Sequence, residues 1–511
     1  VSLVLSLDQA LLDQALAQLN ASPAPGKKRF LTSAEFAQKF ILSAKRQKLK
    51  DFARANGLAL EAADERPDSM VVRASGEARL VENAFAVELN HYRGTDGKIF
   101  RGHETEPMVP QSLAPDVGAV LGLSDEAGLF HPHLRQPLGA SPAALTGSGP
   151  SAGLSPGDIK ALYGVNQTAL NGSGQTAAVF ELDGCNPSDI NAYAAAFGLP
   201  NPNLEFVSVD GAANIPGPAT AEVCGDVELV MALAPGLSKI LVYQGPNTSQ
   251  GVYHTYDKIA ADNRASAIST SWGRSESFSD SAGLQIENQI FQRMALQGQT
   301  IFAASGDSGA FDDGRTLSVD DPASQPYVTG VGGTSLSGTL GSFTEKTWNG
   351  GSIAGGASGG GISAFWLIPN YQVGVPGTAS QTKRNVPDVA LNADPASGYN
   401  IFFSGKWHAY GGTSYAAPLW AGLTALINQG RAQNGLDRLG FANPILYQLG
   451  AGASYPALFK DITTGNNLSY NAGPGYDNAT GLGCFRGDAL IQSFLPTLTL
   501  KPRAPTGLRL H

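Results

Sequence analysis

Between residues 175 and 304 the chain repeats one rhythm, and that rhythm leaves it few folds. Short β-branched and apolar runs at 175–182, 239–243, 267–271 and 301–304 read as strands. Longer runs with helical spacing stand beside them at 188–197, 221–233, 253–263 and 281–297. Strands that alternate with helices form a parallel sheet, because a crossover helix is what returns the chain to the same edge, and helices must then cover both faces. Ligand chemistry in such sheets sits beyond the carboxyl ends of the strands, here the loops at 181–184, 272–273 and 305–309. The glycine-rich segment 349–361 reads as a place of close backbone approach. It lacks the Gly-Lys-Ser/Thr of a phosphate loop.

A smaller α+β pattern comes first. Residues 1–7 alternate as a strand and 8–19 have helical spacing. Thr32, Ser33, Ala34 and Glu35 form a helix-start signal. A basic helix runs over 44–56, followed by a strand at 70–74, a helix at 78–85 and a strand at 86–92. The basic face reads first as solvated; docking against an acidic neighbour is the sharper reading. Residues 1–140 hold 16 basic and 17 acidic side chains, leaving 18 and 26 for the rest. Nearly all of the formal charge of −9 therefore lies in the second part, which suggests two modules with different roles. An acidic balance argues against a nucleic-acid partner, and no apolar run reaches the ~20 residues of a membrane span.

Pro, Gly, Ala and Ser dominate 136–154, so this stretch is expected to be a flexible, protease-accessible linker. The expected organisation is a module at 1–135, the linker at 136–154, a main domain at 155–495 and a segment at 496–511. That last segment reads as a plain tail or as the opening of a further module. The chain begins at Val1, not Met, so a preceding piece removed or omitted is expected. Cys185, Cys224 and Cys484 are too few for a disulfide framework. One bridge, Cys185–Cys224, and three buried thiols are both open.

Gly411-Gly412-Thr413-Ser414 precedes an apolar helical run that includes Pro418. A serine at a tight turn opening a buried helix has its N–H at the positive end of the helix dipole, as an oxyanion requires. Capping of that helix is the plainer reading. A nucleophilic serine also needs a base. None of the seven histidines stands in a setting known for one: three of the four in the first module cluster without a nucleophile, and His254 and His408 lie on a helix and a strand. Carboxylates can replace the imidazole. Glu222 and Asp226, four residues apart on a predicted apolar helix, share one face. Two such groups resist joint ionisation and share a proton, which makes a base poised at acid pH. Asp307, in Ser305-Gly306-Asp307-Ser308-Gly309, fits a protonated acid that donates a hydrogen bond to an oxyanion.

Taken together, Glu222-x-x-x-Asp226, Ser271-Trp272-Gly273, the Asp307 loop and the Ser414 turn resemble the sedolisin/kumamolisin family of serine-carboxyl peptidases, in family order over residues 155–490. The resemblance implies a subtilisin-like fold with Ser414 as nucleophile, Glu222 as base, Asp226 as its orienting partner and Asp307 as oxyanion donor. Glu181 would extend the proton network, Trp272 would accompany it and Asp320 would line the substrate pocket. It further implies one structural calcium ion, held by the carboxylates of Asp461 and Asp477 and the carbonyls of Ile462, Gly473 and Gly475. Residues 1–130 resemble the family's activation domain, expected to be ferredoxin-like, which blocks the cleft until acid releases it. Autocleavage is expected near 140–154. The expected protein is a secreted, monomeric, acid-active endopeptidase precursor that acts on proteins or peptides. A tripeptidyl exopeptidase and a non-catalytic binding relative are the alternatives.

Overall fold

The computed structural model describes residues 1–20, 28–61, 66–94, 97–137 and 143–496. The tail expected at 497–511 lies outside them, as does 138–142 of the expected linker. The first unit runs β1 (Ser2–Leu5), α1 (Gln9–Asn20), α2 (Ser33–Phe40), α3 (Ser43–Ala55), β2 (Ala59–Leu60), β3 (Val71–Ser75), α4 (Ala78–Phe85) and β4 (Val117–Leu121). Its strands pair antiparallel in the order β2–β3–β1–β4. That order with a β-α-β-β-α-β succession is the ferredoxin-like arrangement, with three helices in place of the first. The helix-start signal is a capping box, Thr32 Oγ1 and the Glu35 carboxylate each accepting the other's backbone N–H. Among the described residues, the partners shown for the basic face of α3 are in its own unit rather than on the acidic part. Lys45 and Lys48 hold Asp116 and Arg46 binds the Ser69 and Val71 carbonyls, all within this unit.

The second unit contributes β6 (Thr176–Glu181), β7 (Leu204–Ser208), α5 (Thr220–Leu233), β8 (Lys239–Gln244), α6 (Ser249–Asp262), β9 (Ala267–Thr270), α7 (Ser281–Leu296), β11 (Thr300–Ala304), β12 (Thr329–Thr339), β13 (Ser342–Thr347), β14 (Val389–Asn392) and α8 (Thr413–Gln433). Two short strands, β5 (His131–Pro132) and β10 (Trp272–Ser275), pair outside the main sheet. Among the described residues the main sheet has eight strands, in the order β13–β12–β11–β9–β6–β8–β7 with β14 also beside β12. It is parallel except at β12–β13. From β6 the chain crosses to the edge strand β7, comes back to lay β8 between β7 and β6, and then adds β9 on the other side of β6. The junction of β6 and β9 is thus the topological switch point, where a crevice opens at the strand ends. Thr270 pairs with Phe180, so the next residues, Ser271 and Glu181, come out together at that crevice.

The helix α5 is buried along its whole length, and α8 is buried from Thr413 to Arg431. They lie together on one face because glycine removes the obstacles: a Cβ on Gly225 would overlap the Tyr415 ring, and one on Gly422 would come within 3.1 Å of the Val230 carbonyl oxygen. The other face carries α6 and α7, and the first unit packs its sheet there. One apolar core runs through both units, from Leu3, Leu49 and Phe85 to Phe180, Tyr256 and Phe291. Polar contacts seal the join: Ser69 Oγ to Asp257 (2.8 Å), Arg73 to Asp210 (2.6 Å), and Arg293 to the Asp68 carbonyl (2.7 Å).

The expected linker is not loose where it is described. Leu145 and Leu154 are buried in the second unit, and their N–H groups donate to the Leu336 and Gly398 carbonyls. Composition suggested flexibility because small residues are common in linkers; here Gly147, Gly149 and Gly153 allow backbone-to-backbone packing instead. All three cysteines are unbonded and buried. No helix among the described residues is long and apolar enough to cross a membrane.

Candidate active site

Ser414 occupies the first turn of α8, fully buried beneath another part of the chain. The plainer reading of its motif does not hold: the N-cap is Gly412, with no side-chain capping bond. Gly412 has φ of +119°, a region that favours glycine. A Cβ there would strike the His133 carbonyl oxygen and come 2.8 Å from Asp307 Oδ2. The turn is glycine so that a peptide carbonyl can enter, with a carboxyl group beside it.

The loop after β11 brings Asp307 to this turn. Its Oδ1 accepts the Thr413 N–H (2.8 Å) and hydroxyl (3.0 Å), while its Oδ2 is enclosed and accepts no hydrogen bond among the described residues. Burial raises the Asp307 pKa, opposed by the His133 imidazole, the Thr413 N–H and Arg135. The glycine-rich segment lies against this loop as expected, the Ala357 N–H meeting the Asp307 carbonyl at 2.9 Å.

Glu222 and Asp226 stand on α5, and Glu181 ends β6; all three are fully buried. Trp272 Nε1–H donates to Glu181 Oε2 (3.0 Å), and the Ser271 hydroxyl lies 2.8 Å from Asp226 Oδ1. Both Glu222 oxygens, Asp226 Oδ2 and Glu181 Oε1 are enclosed and accept no hydrogen bond among the described residues. Oxygens crowded in this way can be joined only by protons that the carboxyls carry themselves. Burial first, then the Asp226 charge, raises the Glu222 pKa, against the favourable Ser414 hydroxyl. Burial and the Asp226 charge likewise raise Glu181. Asp226 is pushed up by burial to about 8. The cluster holds protons far into the range where ordinary carboxylates have lost them.

Sequence reasoning missed what fills the crevice. Segment 131–135 runs through it as an extra strand. Pro132 pairs with Trp272 and His131 with Gly273, antiparallel; Arg135 and Gly411 exchange both backbone bonds, at 2.8 and 2.9 Å. Between these anchors the His133 N–H donates to the Ser271 carbonyl (3.2 Å), and the His133 carbonyl accepts the Ser414 N–H (3.1 Å). His133 Nε2 lies 2.9 Å from Asp320 Oδ2 in a buried pocket, and Arg135 Nε lies 3.6 Å from Asp307 Oδ2. Asp320, expected in the substrate pocket, thus faces the His133 side chain of this segment. Only a cluster of histidines hinted at this in the sequence, and its meaning comes from long-range pairing.

The residues assigned to calcium also meet, on one loop. The Gly475 N–H donates to Asp461 Oδ2 and the Gly473 N–H to Asp477 Oδ2, both at 3.0 Å; Ile462 is buried beside Asp461. The Tyr455 hydroxyl faces three acceptors: Asp461 Oδ1 (3.0 Å), the Leu482 carbonyl (3.1 Å) and the Gly475 carbonyl (3.4 Å). One O–H proton serves one of them, so oxygen acceptors are in excess. A hard cation fits that surplus.

Known proteins resemble the chain in the same order. Residues 1–126 match the pro-kumamolisin activation domain, and residues 223–440 match the subtilase family. Kumamolisin of Bacillus sp. strain MN-32 is 37% identical over 473 residues, covering 88% of this chain and 83% of that protein. Tripeptidyl-peptidase 1 of Dictyostelium discoideum is 30% identical over 60% of this chain and 52% of its own length. Pseudomonas sedolisin, a serine-carboxyl proteinase solved with two molecules of pseudo-iodotyrostatin, aligns at a TM-score of 0.62 and 29% identity, over 68% of this chain and 98% of that one. With an activation domain ahead of a subtilisin-like sheet, the chain belongs to the sedolisin/kumamolisin family of serine-carboxyl peptidases.

Proposed function

We propose that the chain is the precursor of a secreted, acid-active endopeptidase, and that its first substrate is its own segment 131–135. The observation that carries this reading is the His133 carbonyl, held by the Ser414 N–H beside Asp307, with the His133 imidazole turned to Asp320. Ser414 Oγ attacks the His133 carbonyl carbon while Glu222 takes the hydroxyl proton and Asp226 orients and shares it. The oxyanion is held by the Ser414 N–H and by protonated Asp307. Collapse breaks the His133–Leu134 bond, and Glu222 returns the proton to the Leu134 nitrogen. Water, deprotonated by Glu222, then releases the acyl group from Ser414. Glu181 and Trp272 fix the far side of the carboxyl cluster, and Asp320 binds the side chain before the bond.

As pH rises through the raised Asp307 value the carboxyl ionises and pairs with Arg135, which removes the donor and secures the inhibitor. Acid restores the donor. This places the first cut at His133–Leu134, ahead of the 140–154 stretch. An endopeptidase is favoured over a tripeptidyl exopeptidase because the chain continues beyond three residues on the amino side: Phe130 stacks under Arg274, 4.6 Å from the ring centre. A calcium ion would be held by Asp461, Asp477 and the carbonyls of Ile462, Gly473 and Gly475, and would neutralise the acidic loop. The mature enzyme is proposed to act as a monomer.

The test is to acidify purified precursor from neutral pH to about pH 4 and sequence the new amino termini. The expected product begins at Leu134, and Ser414→Ala precursor stays whole. Self-cleavage by Ser414→Ala, or peptidase activity undiminished at pH 8, would overturn the assignment.

A further inference from the structure

Pro418 stands four residues after Ser414 in α8. Proline has no N–H, so the Ser414 carbonyl lacks the donor that position i+4 supplies in any other helix. A carbonyl buried beside a nucleophile needs another donor. The Ser271 hydroxyl fills the gap, 3.0 Å from the Ser414 carbonyl oxygen. The same hydroxyl lies 2.8 Å from Asp226 Oδ1. Its backbone carbonyl accepts the Ser414 hydroxyl at 3.3 Å and the His133 N–H at 3.2 Å. A residue next to the switch point thus touches the nucleophile, the second carboxyl and the substrate-like strand.

One hydroxyl has one proton and here faces two acceptors. Directed at Asp226, it favours the charged form of that carboxyl. Directed at the Ser414 carbonyl, it leaves Asp226 to be protonated. Among the described residues the groups that act on Asp226 are Ser271, Glu181 and Glu222, with the Trp272 indole holding Glu181 and Asp307 acting on Glu222; the nearby Tyr415 hydroxyl donates to the Ala221 carbonyl instead. Asp226 takes hydrogen bonds from Ser271, Glu181 and Glu222, each favouring its charged form against burial; of the three, only the Ser271 hydroxyl has no titrating proton of its own, so its direction biases where the shared charge sits.

We propose that Ser271 is a positioning residue, whose hydroxyl, shared between Asp226 and the carbonyl that Pro418 leaves without a helical donor, sets which carboxyl of the Glu222–Asp226 pair holds the proton when Ser414 attacks. The inference rests on the peptidase reading above. Substrate contact is through the Ser271 backbone, which Ser271→Ala retains, so the variant separates the two parts of the residue.

The experiment measures kcat and KM against pH for mature wild type, Ser271→Ala and Pro418→Ala on one peptide. In Ser271→Ala, kcat falls about tenfold with KM little changed. The acid limb moves toward neutrality by roughly one unit, because the pair loses the donor that favours its charge. In Pro418→Ala the Ser414 carbonyl regains a backbone donor, the Ser271 proton is committed to Asp226, and the acid limb moves the opposite way. Limbs that stay in place in both variants, or a loss confined to KM, overturn the proposal. If Ser271→Ala does not mature, the Pro418→Ala limb alone decides: a shift to lower pH supports the proposal, and no shift or the reverse overturns it. Wild type without acid peptidase activity would instead sink the reading of the site as a whole.

Discussion

Gly412 is where one hydrogen atom decides access. A methyl group at that position would occupy the place of the His133 carbonyl oxygen and crowd Asp307 Oδ2. Gly412→Ala should therefore lower kcat/KM by roughly 10²-fold or more, as losing an oxyanion donor does. Steady-state rates on a peptide check this, with circular dichroism confirming that the variant folds; activity within a factor of about three of wild type would contradict it. Glycine-glycine-threonine-serine is legible in the sequence because its requirements are local. So is the i, i+4 spacing of Glu222 and Asp226, which needs nothing beyond helix geometry. Ser271, His133 and Arg135 were not legible in the same way. Ser271 sits at the site because Thr270 pairs with Phe180, and His133 because its strand adds to Trp272 and Gly273. Such pairings depend on register between distant segments, which residue type alone does not encode.

Among elements, the strand–helix rhythm translated well: β6, α5, β8, α6, β9, α7 and β11 fall within a few residues of their patterns. The switch point at β6 and β9 did not follow from the rhythm, since strand order is a tertiary fact. Composition misled at 143–154, where small residues serve close packing rather than flexibility. The loop between Asp461 and Asp477 is the opposite case. Without the family resemblance it reads as a turn, yet it gathers two carboxylates and an excess of acceptor oxygens around the Tyr455 hydroxyl. An ion bound only to the folded form stabilises it by mass action. Chelation of calcium should then lower the melting temperature, and excess calcium should restore it. Asp461→Asn should lower the melting temperature and blunt that response. A melting temperature indifferent to both chelator and calcium would remove the ion from the account.

At the scale of the whole molecule, buried acids set the pH at which the fold is most stable. Burial raises the carboxyls of Glu181, Glu222, Asp226, Glu228, Glu287, Asp307, Asp320 and Asp321. An acid whose pKa is raised by folding contributes stability that is complete below its unfolded value, near 4, and is lost as pH climbs through the folded value. For Asp226 that value is about 8, so the loss extends past neutrality. Lowered acids act in the other direction. Glu205, held to about 2 by Arg264 and Lys239, and Asp116, held down by Lys48 and Lys45, lose their contribution only as pH falls below about 4. The two trends cross near pH 4, which places the stability maximum in the range where the proposed chemistry operates. Uncleaved Ser414→Ala precursor should melt at least about 5 °C higher near pH 4 than near pH 8. Calorimetry over that range, at constant calcium, decides it. A melting temperature that rose steadily to pH 8 would mean that the buried carboxyls are ionised and compensated, and the shared-proton account of Glu222 and Asp226 would fail with it.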